Sequence, residues 1–214
     1  MKEPRTKPAE VRLDELMNAA ETLFLAQGTQ ATTVSQIVEA AGVAKGTFYH
    51  YFPSKSAILE ALQLRYTEQF LAKVEAAVTA CTGASWEKKL ERMVEASVEQ
   101  YYLTHEFHDV IFHQQTNYER QSYERHPFIE AIESLLVAGA EANAWAMKSS
   151  RFTAVMIYSG MHDCVDYAID QKLPQQDAAA EIVFLIQKLL AKESSKKSNS
   201  QAKFTRSNDK SPSN

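Results

Sequence analysis

Two cysteines in 214 residues, Cys81 and Cys164, are too few for a disulfide framework. Six glycines and six prolines are too few for a loop-rich all-β fold. No stretch reaches the ~18 unbroken apolar residues that a membrane span needs. The best candidates are interrupted by Ser159 and His162, or by Glu181 and Gln187. Lys2, Glu3, Pro4 and Arg5 after Met1 begin no apolar signal region, so a soluble protein of the reducing cytoplasm, without a membrane partner, is expected. A glycine-rich phosphate loop, an HExxH zinc motif and a nucleophile elbow are all missing, so neither an enzyme nor a cofactor is expected.

Positive charge is also in short supply. The chain has 23 Lys/Arg against 27 Asp/Glu, a net of −4, and the total conceals its distribution. Residues 1–56 are neutral, with six of each sign; residues 57–191 carry eleven against nineteen; residues 192–214 carry six against two. Any contact with nucleic acid must therefore come from a few placed groups and not from bulk charge.

What the chain has is helical periodicity. Leu13, Leu16, Ala20, Leu23 and Phe24 recur at three and four, and Gly28 stops that helix. Thr33 with Gln36 three residues on forms a capping box for a short second helix, which Gly42 breaks. A third short helix spans about Ala44 to Tyr51. Ser54 caps a long helix bearing Ile58, Leu59, Leu62, Tyr66, Phe70 and Val74. Further helices are expected after Ser85, in a short piece around Phe107–His113, after Pro127, and over Ser150–Asp170 and Gln175–Lys192. The expectation is an all-α chain of three short helices and about six longer ones. Its divisions are a flexible arm (1–10), a helix-turn-helix domain (11–56), a ligand-binding and dimerisation domain (57–192) and a disordered basic tail (193–214).

Two short helices around a Gly42 turn suit a recognition helix presented to the major groove of DNA. Ile37, Val43, Phe48 and Phe52 supply the apolar wedge behind it. Ala44, Lys45, Gly46, Thr47, Tyr49, His50 and Tyr51 are left facing outward. Small residues at the helix start permit close approach, and Lys45 can reach a guanine edge or a phosphate.

The run from Ala31 to Lys55 contains Ala41, Gly42 and Val43, then Lys45, Gly46, Thr47, Phe48, Tyr49, His50, Tyr51 and Phe52. It resembles the DNA-binding domain of the TetR family of bacterial regulators, over roughly Leu13 to Leu62. Val38 departs from the family, which usually has alanine there. The resemblance implies a homodimer that represses transcription from a palindromic operator and is released by a small molecule. It implies that Thr33 caps the second helix and touches phosphate, with Ser35 and Ala44 beside the DNA. By the same resemblance Lys45, Gly46, Thr47 and Tyr49 face bases or adjoining backbone, and His50, Tyr51 and Lys55 contact phosphates. Other functions consistent with the motif are an activator or a global DNA-binding regulator; a small helical enzyme using a C-terminal cavity has no motif behind it.

Ser150–Asp170 and Ala178–Leu190 are apolar nearly all round, which fits helices buried on several sides in a dimer interface. Phe152, Met156, Gly160, Val183, Ile186 and Leu190 are the expected interface. Candidate pocket residues are Tyr66, Phe70, Tyr101, Tyr102, Phe107, Phe112, Tyr118, Tyr123, Trp145 and His162, with the loop Gln114–Arg125 as entrance. As a set they suggest an apolar or aromatic effector. Gly139 can bend its helix or admit a close neighbour. His105, His108 and His113 have spacings at which metal ligands occur, but a third ligand is unassured and no metal is expected. His162 and Asp166, four apart, share a helix face.

Overall fold

The computed structural model describes residues 9–112 and 126–192. Among them are eight α-helices and no strand: α1 (Ala9–Ala31), α2 (Val34–Ala40), α3 (Lys45–Tyr51), α4 (Lys55–Thr79), α5 (Trp86–Phe112), α6 (Pro127–Glu141), α7 (Ser150–Asp170) and α8 (Gln175–Leu190). The all-α architecture is as expected. The helix count is corrected, because Phe107–Phe112 is the last part of an unbroken α5 and not a separate piece. The polar residues that suggested a break are accommodated within the helix: Thr104 Oγ1 donates to the Gln100 carbonyl at 2.8 Å. Ala9 and Glu10, expected in the arm, begin α1. The tail and the loop Gln114–Arg125 lie outside the described residues.

Local chemistry sets the boundaries. Gly28, at φ 79°, bends α1 near its end. Thr32 is buried there, its hydroxyl donating to the Gly28 carbonyl at 2.8 Å. Thr33 and Gln36 form the capping box of α2, Ser54 caps α4 through the Ala57 amide, and Pro127 occupies the first turn of α6.

The helices enclose two cores. Leu16, Met17, Ala20 and Phe24 of α1 pack with Ile37, Val38, Phe48 and Phe52 into a head. Ile58, Leu59 and Leu62 of α4 complete it, so the head packs beyond residue 56. Ile111, near the end of α5, is also a member. The second core fills the body between the rest of α4 and α5–α8, from Val74 and Leu90 to Ile186 and Leu190. Gln63 Nε2 donates to the Ile111 carbonyl at 2.7 Å, tying α4 to α5 where the two cores meet.

Trp145 closes the end of α6. Its indole N–H donates to the Leu136 carbonyl at 2.8 Å, and its ring lies directly on Gly139. Gly139 therefore serves close packing, and Trp145 is a core plug.

Candidate DNA-binding surface and internal cavity

The head presents α3 through a tight turn. Gly42 takes φ 65°, a conformation open to glycine, and the Val43 amide donates back to the Val38 carbonyl at 3.0 Å. Phe48 is fully buried and rests 5.8 Å from Phe52, centroid to centroid, which fixes the roll of α3. Lys45, Gly46, Tyr49 and His50 are consequently exposed, while Thr47 and Tyr51 are half-buried. Thr33, Ser35 and Ala44 are exposed beside them. A Cβ placed on Gly46 meets nothing within 4 Å, so a DNA backbone can approach the start of α3 closely. Ala44 caps α3 without a side-chain hydrogen bond.

Lys55 departs from the phosphate contact that the resemblance implied. Its ammonium turns inward and donates to the carbonyls of Thr29 at 2.7 Å, Gln30 at 3.4 Å and Thr32 at 2.9 Å. The group clamps the end of α1 to the start of α4, using all three N–H donors. We expect Lys45→Ala to lower DNA affinity about tenfold without changing the unfolding temperature, since the side chain is exposed and the resemblance implies a base or phosphate contact from it. Lys55→Met is expected to lower stability by about 1–2 kcal/mol and DNA affinity with it. Paired melting curves and DNA titrations distinguish the two; an unchanged melting curve for Lys55→Met contradicts the clamp.

Below the head, α4–α7 surround a cavity of about 80 Å³. Tyr66, Thr67 and Phe70 line it from α4; Ser97, Tyr101, His108 and Phe112 from α5; His126 and Phe128 from the start of α6; Tyr158, Met161, His162 and Val165 from α7. Its wall, mostly aromatic and apolar with a few polar groups, is of the kind that small-molecule sites have. Five of the residues singled out from sequence therefore meet here: Tyr66, Phe70, Tyr101, Phe112 and His162. Three others do not. Tyr102 points to the surface and donates to the Leu173 carbonyl at 3.1 Å, Phe107 packs against the head core, and Trp145 sits under α6. Tyr118 and Tyr123 lie outside the described residues. Sequence reading missed His108, Tyr158, Met161 and Val165 as cavity residues. The signal was present: Tyr158, Met161 and Val165 share the helix face of His162, and His108 lies two turns beyond Tyr101.

One end of the cavity is polar. Tyr101 Oη donates to Asp166 Oδ1 at 2.7 Å, and His162 Nδ1 lies 3.3 Å from Asp166 Oδ2. His108 Nδ1 is 3.2 Å from Tyr101 Oη and 3.3 Å from Asp109 Oδ1. Burial, and then the hydrogen bond to Asp166, push the Tyr101 hydroxyl far up, so it stays protonated. Burial likewise raises Tyr66 to about 12. His105 is turned away, with Nδ1 3.1 Å from the Tyr102 carbonyl, and His113 lies outside the described residues. Among the described residues no group of three or more His, Cys, Asp or Glu is placed to hold a metal.

At the other end His126 Nε2 faces the Tyr158 hydroxyl at 3.1 Å. Burial first, then the Arg151 charge, hold the His126 imidazole below its ordinary value. A histidine depressed in the folded state contributes stability that is complete above about pH 6.5 and lost as pH falls through the folded value. The unfolding temperature is therefore expected to drop between pH 7 and pH 5, and to drop less in His126→Asn. An equal drop in both proteins rules out His126 as the source.

A third surface lies on α7 and α8. Phe152 (74% exposed), Met156 and Gly160 form an outward stripe that continues to Cys164. A groove between α7 and α8 runs past Met156, Gly160 and Cys164 to Leu185 and Leu189. Of the other residues expected in the interface, Ile186 lines the floor of this groove while belonging to the body's core, whereas Leu190 is buried in that core and Val183 packs against it. Leu185 and Leu189 take the outer positions. For Val183 and Leu190 the difference is one of register on a helix with few polar residues to orient it. No described helix is long and apolar enough to cross a membrane.

Residues 16–62 match the model of the family described as bacterial regulatory proteins, tetR family. The chain is 34% identical over 88 residues to the HTH-type transcriptional repressor KstR2 of Rhodococcus jostii (strain RHA1), covering 41% of this chain and 42% of that protein. It spans about half the length of the curated relatives it matches. Among solved structures, the transcriptional regulator FadR from Bacillus subtilis in complex with stearoyl-CoA superposes with TM-score 0.68 at 23% identity, over 81% of this chain and 96% of that one. A bacterial regulatory protein of the tetR family from Rhodococcus RHA1 gives TM-score 0.67 at 20% identity, over 86% and 98% of the two chains. These likenesses establish a shared fold.

Proposed function

We propose, from the match of residues 16–62 to the model of the tetR family of bacterial regulatory proteins and from the shared fold, that the protein is a homodimeric, ligand-responsive transcription repressor. In this reading it holds a palindromic operator through two copies of α3 and releases it when a small apolar or aromatic effector enters the cavity. The curated relative cited above is itself named a transcriptional repressor, and the FadR structure holds an acyl ligand.

The observation that carries the ligand response is that Tyr66 and Phe112 belong to two places at once. Both line the cavity, and both pack against the head core. A ligand that displaces the Phe112 ring presses on the last turn of α5, where Ile111 is embedded in the head. One that displaces Tyr66 presses on α4, whose first turn is clamped to α1 by Lys55. Either push tilts a head relative to its body. Two recognition helices must stay about 34–36 Å apart to enter successive major grooves, so a small tilt in each copy suffices to spoil the match. The effector needs to favour the tilted state only by its differential affinity for the two states.

The exposed stripe of α7 and α8 supports the dimer, since contiguous apolar surface of this kind is usually covered by a partner. Net charge points the same way. A head with no excess of basic residues gains useful affinity only when two copies bind one site.

Extraction of the cavity contents followed by mass spectrometry, and return of the identified compound to the protein–DNA complex, tests the release step. Dissociation at concentrations that saturate the cavity is expected. A compound that fills the cavity and leaves the complex intact contradicts the proposal.

A further inference from the structure

We propose that His126 is the polar anchor of the ligand site, its Nδ1 pairing with the hydroxyl of an uncharged ligand whose body is an apolar ring. The inference rests on the reading of the cavity as a ligand site and adds one ligand group and the atom that meets it.

His126 stands on the cavity wall immediately before the first turn of α6. It is the N-cap of that helix, yet its side chain makes no capping hydrogen bond. Nε2 faces the Tyr158 hydroxyl at 3.1 Å, and the two rings lie 4.6 Å apart, centroid to centroid. Nδ1 is buried and has no hydrogen-bond partner; among the described residues it is the one buried side-chain nitrogen or oxygen in that state. Such an atom has lost its hydration without return, so a ligand group that completes the bond is favoured.

The state of the ring selects that group. Burial first, then the Arg151 charge, disfavour the imidazolium, so one ring nitrogen carries the proton and the other a lone pair. If Tyr158 donates to Nε2, Nδ1 holds the proton and needs an acceptor. If Nε2 donates to Tyr158, Nδ1 holds the lone pair and needs a donor. A hydroxyl meets both cases, a ketone only the first and an ammonium only the second. A carboxylate loses its hydration on entry unless it draws a proton onto the ring, which would make its binding strengthen as pH falls.

The neighbouring rings select the body. Phe128 lies 6.1 Å from Tyr158 and Phe70 lies 5.4 Å from Phe128, both edge to face, and Met161 and Val165 continue the wall. Such surroundings suit an aromatic or alicyclic ring. At about 80 Å³ the cavity is smaller than the roughly 300 Å³ from which ligand pockets start, so an entering ring parts its wall. His126 is free to yield there, because no capping bond ties its side chain to α6, and its movement opens Nδ1 to the ligand.

The test uses one ring with three heads: p-cresol, toluene and 4-methylbenzoate, titrated calorimetrically into the full-length protein at pH 8 and at pH 6.5. p-Cresol is expected to bind at least about tenfold tighter than toluene at both pH values, and tighter than 4-methylbenzoate. His126→Phe is expected to bring p-cresol within about threefold of toluene, with near-ultraviolet circular dichroism checking that the variant keeps its fold. In wild-type protein labelled with nitrogen-15 at histidine, p-cresol is expected to shift the His126 Nδ1 resonance well beyond any shift that toluene causes, a reading that needs no variant. p-Cresol binding no tighter than toluene, or leaving Nδ1 unmoved, overturns the anchor. So does 4-methylbenzoate binding tightest and gaining affinity as pH falls, which assigns the site to an anion. These results leave the repressor proposal standing. p-Cresol held at Nδ1 while a protein–DNA complex stays undisturbed does the reverse. Binding of none of the three overturns both the anchor and the cavity reading on which it rests.

Discussion

Replacing Met156 with glutamate is expected to convert a dimer to a monomer and to lower affinity for a two-fold DNA site by about 10²–10⁴-fold, the gain that linked binding provides. Met156 is 44% exposed and stands between Phe152 and Gly160 on the outer face of α7, with Leu185 and Leu189 across the groove on α8. In a lone copy a carboxylate there is solvated, and the change costs within about 0.5 kcal/mol. In a dimer it is carried into an apolar interface opposite its own symmetry mate, where the desolvation is uncompensated. Sedimentation and DNA titration of one preparation therefore change together while helicity does not. Leu103→Glu is the control: Leu103 is 73% exposed on α5, away from the stripe, and its replacement is expected to change neither. A Met156→Glu protein that remains dimeric with full DNA affinity places the interface elsewhere.

The second large effect concerns stability. A Cβ on Gly139 would lie 2.0 Å from Trp145 Cζ2 and within 2.6 Å of two further ring atoms. That ring cannot swing aside, because Trp145 is 4% exposed and its N–H is bonded to the Leu136 carbonyl. Gly139→Ala is expected to destabilise the protein by about 2–3 kcal/mol through overpacking. Trp145→Ala, which empties the site, is expected to cost about 3–5 kcal/mol. The two are not additive. With the ring gone, alanine at position 139 meets no clash and gains about 1 kcal/mol of helix propensity, so the double variant is expected to be no less stable than Trp145→Ala alone. Denaturant titrations of the four proteins check the cycle, and additive losses contradict the packing described.

These effects also mark what could be read from the amino-acid sequence. The caps at Thr33 and Ser54, the Gly42 turn and the outward face of α3 are products of neighbouring residues, and a linear reading reaches them. The inward turn of Lys55 depends on carbonyls 23 to 26 residues away, so the same lysine reads as a phosphate contact until α1 and α4 are brought together. Trp145 and Phe112 are both large aromatics in an apolar context. Only tertiary packing makes one a plug beneath Gly139 and the other a cavity wall. On α8 the nearly continuous apolar run leaves no polar face to set the register, and the inner Leu190 cannot be told from the outer Leu185 and Leu189. His108 and His162 stand 54 residues apart, and nothing local to either announces their meeting.

Selection from a randomised pool of double-stranded DNA by the purified full-length protein tests the central claim most directly. Recovery of a two-fold symmetric sequence, with binding that weakens on Lys45→Ala and in the presence of a cavity ligand, is the result expected. A protein that draws no preferred sequence from the pool contradicts it.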